Sequence, residues 1–152
     1  MFVYNCYIFV LKAVFLLASV SNKKAADRLK LLATQKISSQ ISNKKKVWIH
    51  AASAGEFEQV IPLAEKLKSD FDVEIDVSFF SISGIELFEN HPVIDQCFLL
   101  PFDDAKEATT LINKLQPDLV IWTKYEFWLH HLSEIKRRNT PLFLVNADLN
   151  QL

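Results

Sequence analysis

Glycine is nearly absent from this chain: Gly55 and Gly84 are the only two among 152 residues. A GxGxxG dinucleotide turn or a Walker phosphate loop needs glycines at a fixed spacing that these two cannot supply, so both are excluded within these residues. Cysteine is equally sparse, with Cys6 in an apolar N-terminal run and Cys97 in a predicted strand. Two such residues give no disulfide framework and no paired metal-ligand spacing, and a reducing compartment is the default. A surplus of positive charge is missing as well, since 17 Lys and Arg stand against 18 Asp and Glu for a formal charge of −1. That balance argues against nucleic acid as a partner, because phosphate binding rests on a basic excess. What the chain does have is apolar: 50% of its residues are hydrophobic and twelve are Phe, ample for one folded domain with a core.

The longest apolar stretch is Phe2 to Val20, close to the roughly 20 residues that span a bilayer as a helix. Its polar exceptions Asn5, Lys12 and Ser19 recur every seven residues, and at about 100° per residue they share one narrow helical stripe. A charge in the middle favours a helix lying in the membrane surface, with the stripe toward water or protein, the Lys12 stem snorkelling, and Lys23, Lys24, Arg28 and Lys30 meeting anionic headgroups. A full span with the rest of the chain in the cytoplasm is the competing arrangement. A cleaved signal peptide fits less well, because the segment lacks a positive start and carries Lys12 inside its apolar part. Residues 1–22 are therefore expected to form a membrane-anchor helix. Residues 23–46 are polar and Lys/Ser-rich, with a weakly helical first half, and read as a connector.

From Val47 the pattern alternates. Strands are predicted at Val47–Ala51, Val73–Phe80, Gln96–Leu100, Leu119–Thr123 and Leu142–Val145. Helices are predicted between them at Glu56–Ser69, Gly84–Asn90, Asp103–Leu115 and Glu126–Arg138. Repeated βα units with helical crossovers imply an α/β fold, a doubly wound parallel sheet of five strands over residues 47–152. In such sheets ligands sit beyond the carboxyl ends of the strands. Those ends carry the unusual residues: Ala52-Ser53-Ala54-Gly55-Glu56, Ser81-Ile82-Ser83-Gly84, Pro101-Phe102-Asp103, Lys124-Tyr125-Glu126 and Asn146-Ala147-Asp148.

Two of these carboxylates have a structural explanation. Ser53-x-x-Glu56 and Thr123-x-x-Glu126 both have the form of a capping box, in which the hydroxyl and the carboxylate reciprocally satisfy free N–H groups at a helix start. On pattern alone the structural role weighs more. A functional role is compatible with it, because a charged carboxylate on a first helical turn is favoured by the helix dipole and can accept a proton from an attacking sugar hydroxyl. Gly55 either lets a substrate approach the backbone or makes a turn. His50 reads as a hydrogen-bonded core histidine, and the adjacent His130 and His131 face different sides of a helix, so they are no metal pair. Trp122, Tyr125, Phe127 and Trp128 line a groove or the core, with at least two in the core, while Lys136, Arg137 and Arg138 read as a solvated helix end.

Three segments go beyond pattern. His50-Ala51-Ala52-Ser53-Ala54-Gly55-Glu56-Phe57-Glu58-Gln59, then Phe79-Phe80-Ser81-Ile82-Ser83-Gly84, then Pro117-Asp118-Leu119-Val120-Ile121-Trp122-Thr123-Lys124-Tyr125-Glu126-Phe127-Trp128, resemble in order the N-terminal half of 3-deoxy-D-manno-octulosonic acid (Kdo) transferases. The resemblance runs from about Val47 to Leu149. It implies a membrane-associated, two-domain glycosyltransferase of the GT-B type that moves Kdo from CMP-Kdo to a lipid A precursor with inversion and without a metal or other cofactor, at the cytoplasmic face of the inner membrane. By this resemblance Glu56 is the general base, Ser53 and Gly55 shape its loop, and Glu126 and Lys124 lie on the acceptor side. The family often has Val or Leu at Ala54, Pro at Leu129 and Ser-Ala-Arg at Asn146-Ala147-Asp148. Its donor domain has no counterpart in these residues, so a truncated or split reading frame without turnover is expected, and CMP-Kdo binds only where a donor domain is supplied.

A membrane-tethered α/β domain that binds without catalysis is the alternative. A receiver-like version would need acidic partners after the first strand to match Asp103 and Asp104, and a flavodoxin-like version a Ser/Thr-rich phosphate loop where only Ser53 stands.

Overall fold

A computed structural model describes residues 1–39, 43–123 and 126–145. Its centre is strand β1 (Lys46–Ala51), flanked by β2 (Glu74–Phe79) and β4 (Leu119–Thr123), with β3 (Gln96–Leu99) and β5 (Leu142–Val145) at the edges. All pairings are parallel in the order β3-β2-β1-β4-β5, with Ile49 opposite both Val77 and Ile121. Each chain half winds outward from β1, as expected for a doubly wound sheet.

Alternation along β1 divides the core. Val47, Ile49 and Ala51 face a layer containing Phe57, Val60, Ala64, Ile85 and Phe88, supplied by α3 (Ala54–Glu58), the Val60 junction, α4 (Ile61–Phe71) and α5 (Ile82–Phe88). Trp48 points the other way, with Val120 and Trp122, against Leu111, Ile112 and Ile135 of α6 (Ala105–Leu115) and α7 (Leu129–Arg137). Each such fully buried large side chain contributes roughly 1.5–3 kcal/mol of transfer free energy. Gly84 is required by this packing, since a Cβ there would come within 2.2 Å of the Phe79 ring.

The helix predicted over Glu56–Ser69 is two helices. Pro62 stands in the first turn of α4, where its missing N–H is harmless, whereas inside a continuous helix it would break the ladder. The last predicted helix starts at Leu129 rather than Glu126, so Thr123 and Glu126 form no capping box. The cap of α7 comes from elsewhere: the Asp103 carboxylate accepts the N–H groups of His130 and His131, both at 2.9 Å. The basic end of α7 is exposed at Lys136 and Arg137, as expected, and is also paired: Arg137 makes two bonds to Glu134, at 2.8 and 2.7 Å, and the half-buried Arg138 a third at 2.9 Å.

Residues 23–46, expected as a connector with a weakly helical first half, also dock on the sheet edge. Their first half is helix α2 (Lys23–Thr34), and its Arg28 is buried, donating to the carbonyls of Phe80 and Leu100 just beyond β2 and β3. Arg28 is thus withdrawn from any headgroup. Gln35 then pairs with both the N–H and the C=O of Leu99 at 2.9 Å, which covers an edge strand that would otherwise invite another chain. A polar composition concealed this role because the bonds are made by side chains to backbone, a pairing with no hydrophobic period.

Helix α1 (Phe2–Ala18) uses its polar stripe for docking. Asn5 Oδ1 lies 2.7 Å from His130 Nε2, Tyr4 bonds to Asp103, Ile8 is buried in the core, and Lys12 pairs with Asp104 instead of snorkelling. The opposite face exposes Phe2, Val3, Phe9 and Leu17. Among the described residues no single helix is long and apolar enough to cross a membrane, and α1 with α2 passes that test only as a pair bent by 116°.

Candidate functional site

The connections from β1 and β4 leave to opposite faces of the sheet, so their loops separate at the carboxyl edge, the switch point at which open α/β sheets form their ligand crevice. Both candidate carboxylates lie at this switch point. Glu56, half-buried on α3, has its Oε2 fixed by the Ala52 N–H at 2.7 Å and the Thr123 hydroxyl at 3.1 Å. The predicted capping box is therefore not formed: Ser53 stands at the N-cap position without a side-chain capping bond, and Glu56 reaches back past it to the Ala52 N–H. Thr123, at the end of β4, spends its hydroxyl on the carboxylate of the neighbouring strand's loop.

Glu126 is held separately. Its backbone carbonyl accepts the Trp122 Nε1–H at 2.7 Å, and its Oε2 accepts the Trp128 Nε1–H at 3.0 Å. The same oxygen lies 3.5 Å from Nε2 of His50. His50 is fully buried as expected, with Nδ1 2.9 Å from Ser78 Oγ and its ring centroid 4.2 Å from that of Trp122. Burial pushes the His50 ring below the ordinary histidine range, against the opposing pull of Glu126. Trp122 and Trp128 are buried and Phe127 is exposed, so two of the four candidate aromatic residues are core. Lys124, Tyr125 and Asn146-Ala147-Asp148 lie outside the described residues.

Gly55 is exposed, its φ is not positive, and a Cβ there would meet nothing within 4 Å. Neither a turn nor internal packing explains it. Next to the Glu56 loop, the Ser81 N–H bonds to Ala52 O at 2.9 Å. Ser81 also lines a cavity of about 450 Å³ between α1, α2 and the loop after β2, walled by Val14, Phe15, Ile82 and Arg28. Burial brings the Arg28 guanidinium down to about 10, with the Glu126 charge acting in the other direction. Sequence analysis missed Thr123 as the partner of Glu56 and Arg28 as a cation at this edge. The first was accessible from the strand order, because parallel neighbours end side by side; nothing local marked the second.

His130 and His131 diverge as expected: His130 meets Asn5, whereas His131 is buried on Asp103. Among the described residues no group of three or more His, Cys, Asp and Glu is arranged to hold a metal ion.

Residues 17–151 match the family described as 3-deoxy-D-manno-octulosonic-acid transferase (Kdo transferase). The 3-deoxy-D-manno-octulosonic acid transferase of Chlamydia trachomatis serovar D is 33% identical over 110 residues, 69% of this chain and 25% of the relative. That of Haemophilus influenzae is 32% identical over 107 residues, 68% of this chain and 25% of the relative. A bifunctional glycosyltransferase/methyltransferase of Fusobacterium nucleatum is 24% identical over 131 residues, 82% of this chain and 20% of the relative. This chain thus spans about a quarter of the length of the curated relatives it matches first. Because the family match begins at residue 17 and takes in α2, the sheet and both crevice carboxylates, the chain belongs to the Kdo transferase family.

Proposed function

We propose that this domain is the acceptor-binding half of an enzyme that transfers Kdo from CMP-Kdo to a lipid A precursor in lipopolysaccharide synthesis, with Glu56 as general base. The observation that carries the assignment is the fixation of Glu56. A carboxylate at the switch-point crevice, held on one oxygen by Ala52 and Thr123, keeps its second oxygen available for the proton of the attacking hydroxyl. Taking that proton as the bond to the anomeric carbon forms avoids a cationic oxygen in the product, and the cytidine monophosphate leaves with the electron pair of the broken bond. Glu126 and Lys124 serve the acceptor side, and Ser53 and Gly55 keep the loop open to it. CMP-Kdo requires a donor domain in addition to these residues.

A lipid acceptor suits this edge of the molecule. The cavity beside the Glu56 loop has apolar walls from α1 that match an acyl chain, and a mixed polar rim of Lys24, Ser81 and Ser83 with the carboxylates Asp27 and Glu86 that offers hydrogen bonds to a sugar headgroup. The exposed apolar face of α1 supports a helix lying in the inner membrane at its cytoplasmic surface.

Glu56→Gln in this chain joined to a family donor domain tests the base. Gln can still accept from Ala52 N–H but takes no proton, so turnover should fall by roughly 10²–10⁴-fold with the melting transition nearly unchanged. Nearly full turnover in that variant removes Glu56 from the mechanism.

A further inference from the structure

A hydrogen-bonded row crosses β1 and β2 and ends at Glu126. His50 stands in register with Ser78 on β2 and Trp122 on β4. Ser78 Oγ accepts the Trp48 Nε1–H at 2.9 Å and lies 2.9 Å from His50 Nδ1. An indole N–H only donates, so one lone pair of Ser78 is taken. Among the described residues Ser78 Oγ has no third partner, and Nδ1 is the acceptor within reach of its own proton. A neutral imidazole carries one proton, and with Nδ1 accepting from Ser78 that proton is on Nε2. The opposite tautomer leaves the Ser78 proton without an acceptor and turns an Nε2 lone pair toward a carboxylate, both in a buried setting.

Nε2 is buried and has no closed hydrogen bond among the described residues, yet it lies 3.5 Å from Glu126 Oε2. We propose that His50 is a positioning residue for Glu126, donating from Nε2–H to its carboxylate in a tautomer set by the Trp48–Ser78 row. The separation is longer than a formed N–H···O bond and closes by a small carboxylate rotation when the acceptor arrives. Glu126 is then fixed by three rings, with Trp122 on its carbonyl and Trp128 and His50 on Oε2. Glu126, Glu56 and His131 are the titratable groups that act on the His50 ring, whose affinity for a second proton burial lowers while the two carboxylates raise it. What Glu126 is positioned toward rests on the transferase proposal; the tautomer and its contact do not.

Ring ¹⁵N–¹H correlation spectra of the full chain labelled at histidine read the tautomer without substrate. His50 should show the Nε2–H pattern at neutral pH and keep it below the pH at which an ordinary histidine takes up its second proton. Ser78→Ala should give a mixed pattern, and Glu126→Ala should shift the Nε2–H resonance, with Glu126→Gln, still an acceptor, restoring much of it. An Nδ1–H pattern in the unsubstituted chain, titration near the ordinary histidine value, or an Nε2–H signal indifferent to Glu126→Ala would overturn the link. In the chain joined to a donor domain, His50→Phe should lower kcat by roughly 10–100-fold, while His50→Gln, which keeps an N–H donor, recovers most of it. Equal losses in both variants would count against a donor role. Absence of any Kdo transfer would refute the transferase proposal and leave the ring spectra to decide the His50 contact.

Discussion

The two glycines make opposite demands at residue scale. A Cβ at Gly55 meets open space with no positive φ, whereas one at Gly84 strikes the Phe79 ring. Gly55→Ala should therefore leave urea stability unchanged or raise it by about 0.5–1 kcal/mol, since Ala is the better helix former. Gly84→Ala should lower it by about 1–3 kcal/mol through overpacking. A Gly55→Ala chain that melts lower would show that the Glu56 loop is tighter than described. If it melts normally but transfers Kdo poorly once a donor domain is attached, the open space belongs to the acceptor. Glu56 was legible in the sequence because a strand, a small-residue loop and a carboxylate are all local. Its partner Thr123 lies 67 residues away and becomes a neighbour only through the β1–β4 pairing, which no local pattern encodes.

Asp103 links two elements. It caps α7 through the N–H groups of His130 and His131 and receives the Tyr4 hydroxyl of α1, while the adjacent Asp104 caps α6 and pairs with Lys12 of α1. Burial opposes the charge on both carboxyls. Bonds from His131, Tyr4 and the His130 N–H outweigh it for Asp103, and Lys12 does so for Asp104, so both lie below the ordinary range. A carboxylate with a depressed folded pKa stabilises fully above its unfolded value, about 3.9, and loses that contribution as pH falls through the folded value. Docking of α1 should hold at neutral pH and fail only below about pH 4, visible as faster hydrogen exchange in the first turn of α7. Tyr4→Phe should cost about 1.5–3 kcal/mol, as for a bond to a charged group, and release the Leu129 N–H that the Tyr4 hydroxyl accepts at 3.2 Å, while the Asp103 bonds to the His130 and His131 N–H groups stay in place. An α1 that detaches between pH 5 and 7 would contradict this. The strands were readable because buried parallel strands are plain apolar runs. Helix starts were less so: the Thr123–Glu126 pattern suggested a cap that Asp103 provides from another loop, and Pro62 divided a helix whose apolar spacing looked continuous.

At the scale of the whole molecule, the proposed transferase role asks the carboxyl edge of the sheet and the outer face of α1 to serve one lipid acceptor. The docked face of α1 uses Tyr4, Asn5, Ile8 and Lys12, and the opposite face leaves Phe9 at 73% and Leu17 at 74% exposure. A water-facing helix gains nothing from large apolar side chains in such number, and a contiguous apolar patch marks an interaction surface. The amphiphilic N-terminus was evident in the sequence, but which side faced protein was not, because the stripe residues find their partners far along the chain, in Asp104 at the start of α6 and His130 in the first turn of α7. Removing residues 1–46 would not test the anchor cleanly, since it also strips Arg28 and Gln35 from the sheet edge. Phe9→Glu with Leu17→Glu changes two mostly exposed side chains, Phe9 at the margin of the cavity that Asn5, Lys12 and Asp103 also line. Burying each of these side chains in a bilayer surface is worth roughly 1.5–3 kcal/mol, so the pair should weaken binding to vesicles of mixed zwitterionic and anionic lipid by about 10²-fold or more. Urea stability should stay within about 0.5 kcal/mol, as for other exposed positions. Vesicle binding that survives both substitutions would move the membrane contact away from α1, and the reading of α1 as a helix lying in the membrane surface would have to be abandoned with it.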